Sequence, residues 1–139
     1  MFTAATYGSE GDKDPFFSQT GRTLMSRYLF AAAIAGEYLP TVQAWLGREN
    51  DPTPIEILED NGYPHVAAEI EAMQTMTERT RSGVFAYARE ALSFLSSESV
   101  REWVQPHDAG HPEFDPQSLV AAPSDTLYLF SEEGAATRL

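Results

Sequence analysis

The chain has 139 residues, which suits one domain with a single core, and 42% hydrophobic against 22% charged residues mark it as globular and not disordered. It contains no cysteine, which excludes disulfides, thiolate zinc sites and cysteine nucleophiles and fits a reducing compartment. A net charge of −12 repels the phosphate backbone that dominates non-specific nucleic-acid affinity, so little direct nucleic-acid binding is expected. The longest apolar run, around Tyr28–Ala35, falls well short of the roughly 20 residues that span a bilayer, and Met1-Phe2-Thr3-Ala4 lacks the basic start of a signal peptide. No direct membrane contact and a cytoplasmic location are the expectations.

Residues 1–14 hold the loop-like cluster Gly8-Ser9-Glu10-Gly11-Asp12 and read as an irregular lead-in. Asp14-Pro15 then supplies an N-cap with Pro at the first helical position, and Phe17, Leu24, Tyr28, Ala31 and Ala35 fall on one face of a helix ending at Gly36. Pro40 opens a short second helix with Val42, Trp45 and Leu46 on one side and Gly47 as its stop. The turn Asn50-Asp51-Pro52-Thr53-Pro54 caps a third, Ile55–Asn61, closed by Gly62.

After Tyr63-Pro64 comes the longest periodic stretch: Val66, Ile70, Met73, Thr77, Thr80, Val84, Tyr87, Ala91 and Leu95 alternate steps of four and three and keep one seam toward a partner helix. Thr77, Thr80 and Gly83 weaken its middle and predict a kink or a break into two helices. A helix at Glu98–Val104 follows Ser96-Ser97, then a Pro-, His- and Gly-rich loop to Pro116, then one turn at Gln117–Val120. The fold class is therefore mainly α, a compact bundle of about five to seven helices over residues 15–122.

Residues 123–139 differ. Asp125-Thr126-Leu127-Tyr128-Leu129-Phe130 is a near-continuous apolar run between turn signals and reads as a buried strand. A buried strand needs partners for its amides, and no second convincing strand occurs. The orphan implies a sheet elsewhere, and the helices then look like an excursion from a sheet-containing parent.

Charge is distributed unevenly. Residues 37–78 carry Glu37, Glu49, Asp51, Glu56, Glu59, Asp60, Glu69, Glu71 and Glu78 against Arg48 alone, whereas Arg79, Arg81, Arg89 and Arg101 outnumber Glu90 and Glu98 in 79–101. Acid-rich surfaces keep proteins soluble, but so lopsided a placement also steers basic partners and penalises acidic ones. Glu56, Glu59, Asp60, Glu69 and Glu71 are the candidate partner-binding residues. Glu59-Asp60 and Glu69-x-Glu71 suit a solvated helix face better than a catalytic carboxylate pair, which needs a cleft that splits two pKa values.

Several sharper readings give way to plainer ones. His107-x3-His111, beside Asp108, Glu113 and Asp115, has metal-ligand spacing, but Gly110 and Pro112 break any helix that could align the imidazoles, and a solvated loop is the better reading. Ser82, between Arg81 and Gly83, lacks the Lys and second Gly of a phosphate cradle, and local charge pairing with Glu78 is expected instead. Phe16, Phe17, Tyr28, Phe30, Trp45, Phe85, Tyr87, Phe94 and Trp103 are core candidates by spacing, with Phe30 and Phe85 off the main stripes and so the ones to watch at an interface.

Asp14-Pro15-Phe16-Phe17, Leu24-Met25, Tyr28-Leu29, Ala31-Ala32-Ala33, Val42 and Trp45, with Phe114-Asp115-Pro116, Leu119 and Thr126-Leu127-Tyr128-Leu129 at the other end, resemble the all-α domain of type IV secretion coupling proteins, the TraG/TraD-like conjugal-transfer ATPases. The resemblance covers nearly the whole chain through short hydrophobic patterns. Phe17 stands where that family usually has Trp, and Gly21 where it favours Ala. It implies a helical bundle projecting into the cytoplasm from a hexameric motor anchored in the bacterial inner membrane, which selects relaxosome proteins, relaxase or secreted effectors, and a return of residues 123–139 to the parent nucleotide-binding domain. No G-x-x-x-x-G-K-[ST] phosphate loop occurs in the chain, so ATP and Mg would belong to the parent, with no catalytic site, cofactor or metal expected in these residues, which would be monomeric alone. Two other readings compete: a freestanding acidic regulator or DNA mimic, which would bury Thr126–Phe130 in its own fold, and a small hydrolase built on the His107 loop.

Overall fold

A computed structural model of the chain describes residues 14–104 and 115–128, which form seven α-helices and no β-strand among the described residues. The helices are α1 (Pro15–Ala35), α2 (Leu39–Leu46), α3 (Thr53–Asp60), α4 (Pro64–Gln74), α5 (Glu78–Ala91), α6 (Glu98–Val104) and α7 (Pro116–Ala121), with a 3-10 turn at Ser93–Ser96 between α5 and α6. The mainly helical bundle expected from periodicity is the architecture observed.

One device starts three of these helices. The Asp14 carboxylate accepts the Phe16 amide at 3.0 Å, Asp51 accepts the Thr53 amide at 3.0 Å and the Thr53 hydroxyl at 2.6 Å, and Asp115 accepts the amides of Gln117 and Ser118 at 3.0 and 3.3 Å. A proline follows each Asp, where a missing amide hydrogen costs nothing and the fixed φ suits a first turn. The side-chain bonds hold the Asp115 carboxyl below the usual carboxylate range, led by the Ser118 hydroxyl. The ends of α1 and α3 share a second device: Gly36 and Gly62 take φ of 69° and 87°, and the amide after each bonds back, Glu37 to the Ala32 carbonyl and Tyr63 to the Leu58 carbonyl, both at 2.8 Å. These are Schellman turns, in which only glycine takes the left-handed residue without strain.

The core lies between α1 and α5, with α3 and α4 paired alongside and α2 closing one flank. Leu24, Tyr28, Ala31, Val42, Leu46, Leu58, Ile70, Val84, Phe85 and Leu95 are fully buried. The predicted α1 face is correct through Ala31, but Ala35 is exposed because the helix ends there. Tyr28 sits at the centre with its ring edge-on to Trp45 and Phe85, centroids 6.2 Å away in each case. Its hydroxyl accepts the Gln74 side-chain amide at 3.0 Å, and that amide also reaches the Asp51 carbonyl at 2.8 Å. Burial pushes the Tyr28 hydroxyl up to about 12.

The α1–α5 crossing depends on two glycines. A Cβ on Gly21 of α1 would stand 2.6 Å from Tyr87 Cδ1, and one on Gly83 of α5 would stand 2.5 Å from Phe17 Cε1. Each helix thus seats the other's ring on bare backbone, an approach closer than any side chain permits. Gly83 is a packing seat and not a break. The break in the long periodic stretch falls at Thr75–Thr77, and Thr80 and Gly83 lie inside α5.

Other expectations need correction. Phe85 is fully buried and is no interface residue, whereas Phe16 is exposed and Trp103 is 70% exposed. Residues 125–128 are irregular, with Leu127 and Tyr128 exposed, so the burial expected of that run is not met there: the bundle offers them no sheet. Residues 129–139, including Leu129 and Phe130, lie outside the described residues, as do His107, Asp108, His111 and Glu113.

Candidate functional site

The acidic stretch 37–78 divides in space into carboxylates consumed by the fold and carboxylates left on the surface. Glu49, in the α2–α3 connection, is the most heavily engaged. Arg81 Nε donates to its Oε2 at 3.0 Å, the Ser82 hydroxyl donates to the same oxygen at 3.3 Å, and Arg89 Nη1 lies 3.5 Å from Oε1. The same arginines cap neighbouring helices: Arg81 Nη1 donates to the Gln74 carbonyl at the end of α4, and Arg89 Nη1 to the Leu46 carbonyl at the end of α2. Two side chains of α5 thereby satisfy C-terminal carbonyls and the carboxylate that ties the α2–α3 connection down. Partial burial raises the Glu49 carboxyl, but the Arg81 and Ser82 hydrogen bonds and the charges of Arg89 and Arg81 outweigh it and hold the group below its ordinary value.

Ser82 and Arg81 therefore serve Glu49, across 33 and 32 positions of sequence, and not the neighbouring Glu78. A contact that long has no local signal. Asp51 is likewise internal, buried at the start of α3 with Arg48 Nη1 3.8 Å away. Glu69, one of the five candidate partner-binding residues, forms an ion pair with Arg27 and so bridges α4 to α1. Its charge is locally compensated, which removes it from the set of free contact groups.

The other four candidates behave differently. Glu56, Glu59 and Asp60 on α3 and Glu71 on α4 are exposed, and among the described residues none has a side-chain hydrogen bond or ion pair. α3 and α4 pack against one another, joined by the Gly62 turn, so the four carboxylates belong to one helical hairpin. Glu59 and Asp60 stand in the last turn of α3, which has no basic residue, at the end of a helix where the macrodipole is negative.

Beside this hairpin end lies an aromatic pair. Phe30 of α1 and Tyr63 of the α3–α4 turn meet edge to face with centroids 4.8 Å apart, and His65 lies 6.4 Å beyond Tyr63. The position of Phe30 off the main stripe marks it in the sequence; Tyr63 carries no signal there beyond preceding Pro64.

The hairpin end thus sets exposed carboxylates without partners among the described residues beside exposed aromatic rings. Among the described residues no group of three or more His, Cys, Asp or Glu is placed to hold a metal ion, and no helix is long and apolar enough to cross a membrane. No protein-family model, curated protein or solved structure matches the chain.

Proposed function

We propose that this domain docks basic protein segments on the α3–α4 hairpin, as the cargo-recognition module of a DNA-translocating type IV secretion coupling ATPase. The observation that carries the docking reading is the set of four exposed carboxylates, Glu56, Glu59, Asp60 and Glu71, that the bundle leaves without partners while it engages Glu49, Asp51 and Glu69. Uncompensated negative charge on one hairpin speeds encounter with a basic partner and discriminates against acidic ones. Relaxosome or effector proteins are the proposed cargo, and the resemblance in the Asp14–Ala33, Val42–Trp45 and Phe114–Leu129 patterns supports that assignment. The exposure of Leu127 and Tyr128 also favours a domain whose C-terminal run pairs with a parent motor over a freestanding regulator, which would cover them itself.

Charge reversal of Glu56, Glu59, Asp60 and Glu71 to Lys tests the reading. The altered domain should keep its helical circular dichroism and lose capture of basic relaxosome or effector proteins from donor-cell lysate. Capture that survives the reversal sinks the acidic-face assignment.

A further inference from the structure

Tyr28, Trp45 and Phe85 are buried in the bundle. Phe30 and Tyr63 instead meet at the surface, each 37% exposed, with Leu29 exposed beside Phe30 in sequence. The Schellman turn fixes where Tyr63 stands. Its amide is bonded to the Leu58 carbonyl at 2.8 Å and the Gly62 amide to the Glu59 carbonyl at 3.1 Å, so the ring is tethered to the turn of α3 that bears Glu59 and Asp60.

That turn is electrostatically unfavourable as it stands. Two carboxylates at a helix C-terminus are unfavourable through the macrodipole, and α3 has no basic residue in its last turn to offset them. Arg27, one turn before Phe30 on α1, is already committed to Glu69. Ring faces carry negative quadrupolar charge, so the pair adds to the same sign of potential. Among the described residues no cation pairs with Glu59 or Asp60, and exposed π surface beside free acceptors is what a guanidinium complements: it stacks on a ring and forks onto a carboxylate at once.

We propose that Phe30 and Tyr63, with Glu59 and Asp60, form an arginine-reading seat in which a basic partner segment lays a guanidinium over the aromatic pair and bonds it to a carboxylate. This rests on the docking function above and specifies its partner chemistry: arginine in preference to lysine. Lysine offers a compact, strongly hydrated ammonium that gains less from stacking. A second copy of this chain is a poor occupant, because two bodies of net charge −12 repel.

The test uses the full chain and three short synthetic peptides of equal length that carry arginine, lysine or glutamine at the same positions, with affinities read by fluorescence anisotropy. The arginine peptide should bind about three- to five-fold tighter than the lysine peptide, the effect of a surface cation–π contact, and the glutamine peptide should not bind. Phe30→Leu and Tyr63→Leu should erase the arginine preference while leaving salt-sensitive binding of both basic peptides; Glu59→Gln with Asp60→Asn should weaken both. Upfield shifts of the arginine side-chain protons on binding the unaltered chain give a second readout that needs no variant to fold. Equal binding of arginine and lysine peptides, with no ring-current shift, overturns the seat and leaves acidic docking standing. Absence of binding by either basic peptide, or binding indifferent to neutralisation of Glu59 and Asp60, overturns both.

Discussion

Where α1 crosses α5, two bare glycines let Tyr87 and Phe17 lie flush on the opposite helix; on the α3–α4 hairpin, four carboxylates stand exposed with no cation among the described residues to meet them. The first region commits its side chains to the chain itself, and substitutions there should be felt as lost stability. The second holds interactions in reserve, and substitutions there should leave the fold alone and change what it binds. Glu49 lies between these extremes: it belongs by sequence to the acidic stretch and by geometry to the interior clasp on α5.

The most damaging single change should be Gly21→Ala. Alanine gains about 1 kcal/mol of helix propensity, but its methyl would stand 3.0 Å from Tyr87 Cβ, close to backbone that cannot swing away, and overpacking of this kind costs about 1–3 kcal/mol. A net loss of up to about 2 kcal/mol is expected in chemical denaturation. In a double-mutant cycle with Tyr87→Ala, alanine at 21 should become neutral or favourable; a cost that persists would mean that the ring is not what the glycine accommodates. Gly83→Ala should cost less, since the half-buried Phe17 ring can rotate toward solvent.

Glu49→Gln should follow, with a loss of about 1 kcal/mol as the charge-assisted bond from Arg81 and the ion pair with Arg89 weaken. Because the folded carboxyl is held below its ordinary value, Glu49 stabilises fully above the ordinary carboxylate range and loses that contribution as pH falls through its lowered value. Melting temperature should therefore drop on acidification, and less steeply in Glu49→Gln. The alkaline side belongs to Tyr28. Its hydroxyl ionises near 10 in an unfolded chain and at about 12 in the fold, so stability should decline as pH rises from the first value to the second, and Tyr28→Phe should flatten that limb.

Asp51→Ala should cost about 1 kcal/mol, comparable to the loss of a capping side chain, by freeing the Thr53 amide at the start of α3. Smallest in stability should be the combined neutralisation Glu56→Gln, Glu59→Gln, Asp60→Asn and Glu71→Gln, within about 0.5 kcal/mol of unaltered and in the stabilising direction, since surface charges of one sign repel. Its effect should fall on docking and on the salt dependence of docking. A large stability loss in that variant would show that the hairpin acids are structural after all and would dissolve the contrast with the α1–α5 seam.

Much of the fold was legible. Proline after a capping aspartate and glycine after an apolar run mark helix ends by backbone chemistry alone, so the starts at Asp14 and Asp51 and the stops at Gly36 and Gly62 could be read directly, and Asp115-Pro116 carries the same signal. The break in the long seam was legible to within a few residues, although Gly83 misled: a glycine that weakens a lone helix can be required where two helices touch. The candidate site was legible in outline only. The five acids were named, but nothing local distinguishes Glu69, taken by Arg27, from Glu71, and nothing near Glu49 announces arginines more than thirty positions away.

Charge total, helical class, most helix ends and the inward residues of α1 through Ala31, of α2 and of α4 followed from the sequence, because each depends on groups within a turn or two of one another. Which acids are free, which glycines are seats for rings, and which aromatics stay outside were decided only by tertiary structure, because each depends on what a distant helix brings alongside. The acidic stretch shows the division most clearly: its charge is fixed by composition, and its availability to a partner by where the arginines of α1 and α5 end up.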